Sequence, residues 1–204
     1  MKIFKSKIVR GIIEFFLLSL LSLIAPVCVL IDGVIIGDGV GESSITEFSQ
    51  ETLLLGSVVC FGYAAWRHVI SRGFFVLMAG FFSCMLVREL DSIFDKVWHG
   101  FWLWPALLIA FISIAYVMFY CRDTVLGSIS DFVDTKPYFY IIFGLIIVLV
   151  FSRVFGSGEV LWKNLMTSDY ENLYKRALQE GLELFGYIFI AYGSCLMLWF
   201  KKKE

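Results

Sequence analysis

Residues 15–31 read FFLLSLLSLIAPVCVLI, and residues 138–152 read YFYIIFGLIIVLVFS. Neither stretch contains a charge. Neither alternates polar with apolar residues, as a strand in a membrane barrel would. Both are continuous runs rich in Leu, Ile and Phe, the pattern of a helix surrounded by hydrocarbon. A backbone in lipid must satisfy its own hydrogen bonds, and a helix does this within one segment. These two stretches predict membrane-spanning helices and set the expected class: an all-α, polytopic helical bundle.

Further stretches of the same kind extend the pattern. Apolar residues dominate at 11–32, 50–71, 73–94, 101–121, 138–156 and 181–200. About 20 residues of helix cross the hydrocarbon core, so six spans are expected in a single transmembrane domain, 1–204. Two stretches fit capping boxes: Ser44-Ile45-Thr46-Glu47 and Ser168-Asp169-Tyr170-Glu171. They move two expected helix starts outward, giving helices at about 11–32, 45–71, 73–97, 101–121, 138–156 and 169–200. The segment 122–137, with Asp131, Asp134 and Lys136-Pro137, reads as a connector.

Composition agrees. The chain has 204 residues, of which 59% are hydrophobic and 17% charged, with a mean hydropathy of +0.82. A water-soluble domain of this size needs more polar surface than that. Lys2, Lys5, Lys7 and Arg10 precede the first apolar run as they would in a signal peptide. That run is long and lacks a small-residue cleavage pattern, so it is read as the first helix. The cysteines Cys28, Cys60, Cys84, Cys121 and Cys195 are odd in number, have no CxxC spacing and lie in or beside apolar segments. They read as packed hydrophobes.

Basic residues orient the spans. With the N-terminus in the cytoplasm, the inner side receives Lys2, Lys5, Lys7, Arg10, Arg67, Arg72, Arg122, Lys136 and 201–203. The outer side receives Arg88, Lys96, Arg153, Lys163, Lys175 and Arg176, together with most of the acids. An even number of spans returns the basic tail to the cytoplasm. The expected location is a bacterial inner membrane. Trp98, Trp102, Trp104 and Trp162 suit an outer aromatic belt, and Trp66 and Trp199 an inner one.

Several uncharged cores are short: 52–66, 73–87 and 138–152. Each gives about 22 Å of helix against about 30 Å of hydrocarbon. Charges at their outer ends are drawn toward the bilayer. The expected network is Glu51, Arg88, Glu89, Asp91, Arg153 and Glu183, with Glu47, Gln50, Glu180 and Tyr187 nearby. On a continuous helix Asp91, Asp95 and His99 fall within about 80° of one another, and Arg88 lies a turn below Asp91 on the same face, with Glu89 pointing away. Asp91, Asp95, His99 and Glu183 are therefore the candidate catalytic groups. Asp91, Asp95 and His99 form a carboxylate–imidazole set that suits a metal only with help from Glu51 or Glu183; no metal or other cofactor is expected. The competing reading is an ion-pair network that keeps helices in register. Glu14 is expected to pair with Arg10 on its own helix, and His68 to mark the inner boundary.

Three functions compete. The first is a non-enzymatic subunit or partner of a membrane complex. The second is a membrane-embedded hydrolase or transferase using the outer carboxylate–His group. The third is a small transporter or oligomeric channel. The chain has no GxSxG, HExxH or phosphate-loop motif. Midplane polar residues are few, and basic residues flank the spans without forming a patch, which excludes nucleic acid as a partner. The expected partners are membrane lipids, another protein or a second copy of the chain.

Overall fold

The computed structural model describes residues 2–36, 44–162 and 172–198. Among the described residues the regular secondary structure is all helix, with no strand. The elements are α1 (Lys2–Ser22), α2 (Ile24–Leu30), α3 (Ile45–Arg67), α4 (Arg72–Glu89), α5 (Asp91–Phe94), α6 (Leu103–Tyr116), α7 (Leu126–Val133), α8 (Lys136–Ile146), α9 (Ser152–Gly156) and α10 (Asn172–Met197). Wider π-helical turns follow α2, α6 and α8, at Ile31–Ile36, Val117–Cys121 and Ile147–Phe151. They join α2, α6 and α8 into longer rods.

Among the described residues four helices are long and apolar enough to cross a membrane: Lys7–Val34, Val69–Glu89, Leu103–Thr124 and Lys136–Gly156. Large apolar side chains point outward from the bundle. Phe119 is 83% exposed, Phe111 71% and Ile13 60%. Contiguous apolar surface on this scale marks contact with lipid or another apolar partner. The helices α3 and α10, of 23 and 26 residues, are long enough to span but carry more polar side chains.

The polar helices are the central ones. α10 packs against α2, α3, α8 and α9, while α3 packs against α4, and α4 against α6. The main core joins Leu54 and Phe61 of α3, Phe75 and Phe82 of α4, and Tyr187 and Ile190 of α10. Phe61 stacks on Phe82 with ring centroids 5.5 Å apart. Small residues bring α8 and α10 together. A Cβ on Gly144 would meet the Gly186 carbonyl oxygen at 2.5 Å, and one on Gly186 would meet the Gly144 carbonyl at 2.8 Å. Backbone-to-backbone approach of this kind favours helix association where burial from water supplies no force.

Several helix ends differ from the sequence reading. α1 begins at Lys2, not near 11, because hydropathy marks the apolar part of a helix and Lys and Arg are good helix formers. It breaks after Ser22, four residues before Pro26, whose ring opposes the carbonyl at that position. The helix expected over 73–97 ends at Glu89. Leu90 leaves helical geometry at φ −83°, ψ 18°, and a short turn, α5, follows. The expected connector 122–137 holds a helix, α7, with Ser128 and Phe132 buried. The span expected from 138 starts at Lys136: the Thr135 side chain accepts from the Tyr138 amide at 3.4 Å, with Pro137 in the first turn. The cap expected at Ser168–Glu171 and the basic tail 201–203 lie outside the described residues.

Candidate functional site

At one end of the bundle, polar groups join α3, α4, α9 and α10, and the turn that follows α2. The α3 N-terminus is capped as its sequence predicts, with Ser44 Oγ accepting from the Glu47 amide at 3.1 Å. It is also capped from another helix. Asp32, 1% exposed, accepts from the amides of Ile45 and Thr46, each at 2.9 Å, and from the Thr46 hydroxyl at 2.6 Å. These bonds satisfy orphan donors of the first turn, and the carboxylate lies at the positive end of the helix dipole. Asp32 was visible in the sequence only as an acid at the end of an apolar run.

Two ion pairs form below this cap. Arg88 Nη2 lies 3.1 Å from Glu89 Oε1, and the buried Tyr187 hydroxyl donates to the same oxygen at 2.8 Å. Arg153 Nη2 lies 3.0 Å from Glu183 Oε1. Glu183 is 2% exposed, and Ser152 Oγ and Gln179 Nε2 approach its Oε1 at 3.1 and 3.3 Å. Gln50 adds a third link: its Nε2 donates to the Glu180 carbonyl at 3.1 Å and to Glu180 Oε2 at 3.0 Å. The result ties α4 to α10 through Glu89–Tyr187, α9 to α10 through Arg153–Glu183, and α3 to α10 through Gln50–Glu180.

Of the expected network, Arg88, Glu89, Asp91, Arg153 and Glu183 line one cavity and Glu51 does not, and the pairing differs from the expectation. Arg88 pairs with the adjacent Glu89 and not with Asp91. The helix ends between them, so the face on which Arg88 and Asp91 would share a turn does not continue. Glu89, expected to point away, is the buried partner. Asp91 is exposed at the cavity rim. Glu51 stands apart in a neighbouring cavity with Ser92 and Lys96.

Asp95 and His99 do meet, with Oδ2 and Nδ1 2.8 Å apart, but the imidazole is fully exposed. Asp95 Oδ1 accepts from the Gly100 amide at 2.8 Å, where Gly100 takes φ +83°. The pair thereby closes a turn that needs a left-handed residue. Among the described residues no three His, Cys, Asp or Glu side chains gather in a way that could hold a metal ion. The three-residue set read at 91, 95 and 99 depended on a continuous helix.

The opposite end is also fastened. Glu14 Oε2 accepts from Lys136 Nζ at 2.6 Å, and Glu14 Oε1 from the Tyr140 hydroxyl at 2.8 Å. The expected partner was Arg10; the long side chain of Lys136 reaches across from α8 instead. His68 follows α3 and packs its ring against Phe75, with centroids 5.8 Å apart. Gly73 donates its amide to Thr124 Oγ1 at 2.8 Å, joining α4 to the end of the α6 rod.

Chemically, the deep carboxylates Glu89 and Glu183 are committed to guanidiniums and hydroxyls on the elements they join. The Ser152 hydroxyl is buried and lies within 2.6 Å of the Val148 carbonyl. This arrangement restrains the helices it joins. The class defined so far is an all-helical membrane protein with a polar network at one end of an apolar bundle. No protein-family model matches the chain, nor does any curated protein or solved structure.

Proposed function

We propose that the chain is a non-enzymatic subunit or partner in a membrane complex, crossing the membrane six times with both termini in the cytoplasm. The observation that carries this reading is the use of the buried charges. Glu89 is held by Arg88 and Tyr187, and Glu183 by Arg153, Ser152 and Gln179. Intramembrane charges are functional-site candidates by default, but these are consumed in joining helices. The exposed apolar faces of α6 and α1 are available to lipid or to a partner.

Six spans require α3 and α10 to cross beside the four more apolar helices. Their lengths support this, and so do their contacts. Glu14 bonds Lys136 and Gly73 bonds Thr124 toward one end, while Asp32 bonds Thr46 and Gln50 bonds Glu180 toward the other. The distribution of basic residues supports a cytoplasmic position for the Glu14 end. A bacterial inner membrane fits this distribution.

The test is purification in mild detergent with mass measurement of the intact particle, beside complementation of a deletion strain. A second polypeptide or a second copy at fixed ratio is expected, with function retained in His99→Ala. A monomer without a partner, together with a folded but inactive His99→Ala, would overturn the reading in favour of chemistry at the outer end. A reporter active only in the cytoplasm should work when fused to the C-terminus; inactivity there would remove the six-span topology.

A further inference from the structure

We propose that the outward edge of α7 is a lipid-docking surface: Leu126, Ile129 and Val133 lie in the acyl boundary of one membrane leaflet, held there by apolar burial and not by headgroup charge. The chain sets the depth. One apolar span ends at Thr124 and the next begins at Lys136. Both ends therefore meet the same face of the membrane, and α7 is tethered to that face on either side. Phe119 and Tyr120, near the end of the first span, and Phe139, in the first turn of the next, are strongly exposed. The outward edge of α7 thus lies between two helix ends that are themselves apolar on the outside.

The roll of α7 is fixed from inside. Phe132 is 5% exposed, and its ring packs on Phe74 of α4 and Tyr138 of α8, with centroids 5.0 and 5.5 Å apart. At about 100° per residue, Phe132 and the buried Ser128 share one side of the helix, within about 40° of each other. Leu126, Ile129 and Val133 fall within about 60° of one another, centred about 120° from the buried side. They are 81%, 40% and 40% exposed. Gly127, Ser130 and Asp131, all exposed, occupy the remaining side. Every residue of α7 thus belongs to one of three sides: packed on protein, apolar and open, or polar and open. A helix on a protein in water needs only two sides. Three are needed along the line where protein, hydrocarbon and water meet.

The residue types favour lipid over a protein on this edge. Protein interfaces concentrate their energy in Trp, Tyr and Arg anchors. The open apolar edge of α7 is wholly aliphatic, and its one aromatic ring, Phe132, is turned inward. Charge recognition of anionic lipid needs clustered Lys or Arg. Over 122–136 the basic residues Arg122 and Lys136 are outnumbered by Asp123, Asp131 and Asp134. Apolar burial is what remains to hold the edge, and it is indifferent to headgroup charge. This inference goes beyond the complex-subunit reading and does not depend on it, nor on which face of the membrane is cytoplasmic.

The experiment places the photoreactive residue p-benzoylphenylalanine, one position at a time, at 126, 133 and 130 of the full chain. Each variant is irradiated in cell membranes, and again in nanodiscs of phosphatidylcholine or phosphatidylglycerol with matched acyl chains. Adducts are read by intact mass, which separates one added lipid from an added polypeptide. Positions 126 and 133 should give lipid adducts, and position 130, on the polar side, should lose them. The adducts should persist in phosphatidylcholine and at high salt. All three side chains are exposed, so the probe displaces no core packing; should one apolar position fail to fold, the other carries the test. A polypeptide adduct from 126 or 133 in cell membranes would assign the edge to a protein partner and overturn the proposal. Lipid adducts no more abundant at 126 and 133 than at 130, or confined to phosphatidylglycerol, would overturn it as well.

Discussion

Replacing Tyr187 with Phe isolates one bond of the outer network. Tyr187 is 1% exposed, and its hydroxyl donates to Glu89 Oε1 at 2.8 Å from a different helix. Phe fills the same volume, so packing against Phe61 and Phe82 in the core survives. What changes is Glu89, 8% exposed, which keeps Arg88 Nη2 at 3.1 Å and loses its second donor. A neutral hydrogen bond between membrane helices averages about 0.6 kcal/mol and reaches about 1.7. A bond to a charged acceptor contributes about 1.5–3 kcal/mol. The burial of the carboxylate places this bond where the ranges overlap, so a loss of about 1.5 kcal/mol is expected. The measurement is reversible unfolding in mixed micelles, with a double-mutant cycle against Glu89→Gln to separate the pair from its surroundings. A change within about 0.5 kcal/mol, the range of an ordinary surface substitution, with no coupling to position 89 would refute the claim that this bond welds α4 to α10.

Other substitutions probe the remaining joints. Gly144→Ala sets a methyl 2.5 Å from the Gly186 carbonyl oxygen and should cost about 1–3 kcal/mol by overpacking; Gly11→Ala, with nothing within 4 Å, should leave the melting temperature unchanged. Asp32→Ala removes three accepted hydrogen bonds at the start of α3 and should destabilise by about 1–2 kcal/mol in detergent melts. His99→Ala should melt with the parent protein, because the ring is fully exposed; a clear drop would show that it holds structure in place. Lys136→Ala should increase labelling of a probe cysteine near the start of α1, since Glu14 then keeps only the Tyr140 hydroxyl among the two bonds that reach it from α8.

Sequence reading reached different depths for different features. Continuous apolar runs were enough for the class, because only a helix satisfies its backbone in lipid within one such run. The charges that would matter also declared themselves: Arg88 and Arg153 stand at the ends of spans too short for the hydrocarbon, and Glu183 at the same level on the last span. Their partners did not. Helical periodicity assigned Arg88 to Asp91, and that argument failed at Leu90, where the chain leaves the helix without a Gly or Pro to announce it. Gln50 and Tyr187 act across helices that are distant in sequence, and Asp32 reaches the start of the next helix across an intervening segment; no helical periodicity encodes those pairings. Glu14 went to Lys136 and not Arg10 for the same reason: an intrahelical rule cannot weigh a partner 122 residues away.

The position of α10 at the centre of the bundle also sets an order of events during synthesis. Among the described elements it is the last to be translated, yet α2, α3, α8 and α9 all lean on it. Until it emerges, Arg153 has no Glu183, Gln50 has no Glu180, and the Gly144 backbone lies open along one side of α8. The earlier helices can enter the bilayer, and α3, α4 and α6 can pack on one another, but a nascent chain stalled before residue 172 presents the unpaired Arg153 and the small-residue face of α8 to whatever insertion machinery or chaperone attends it. Closure of α2, α8 and α9 around the centre of the bundle therefore waits for α10.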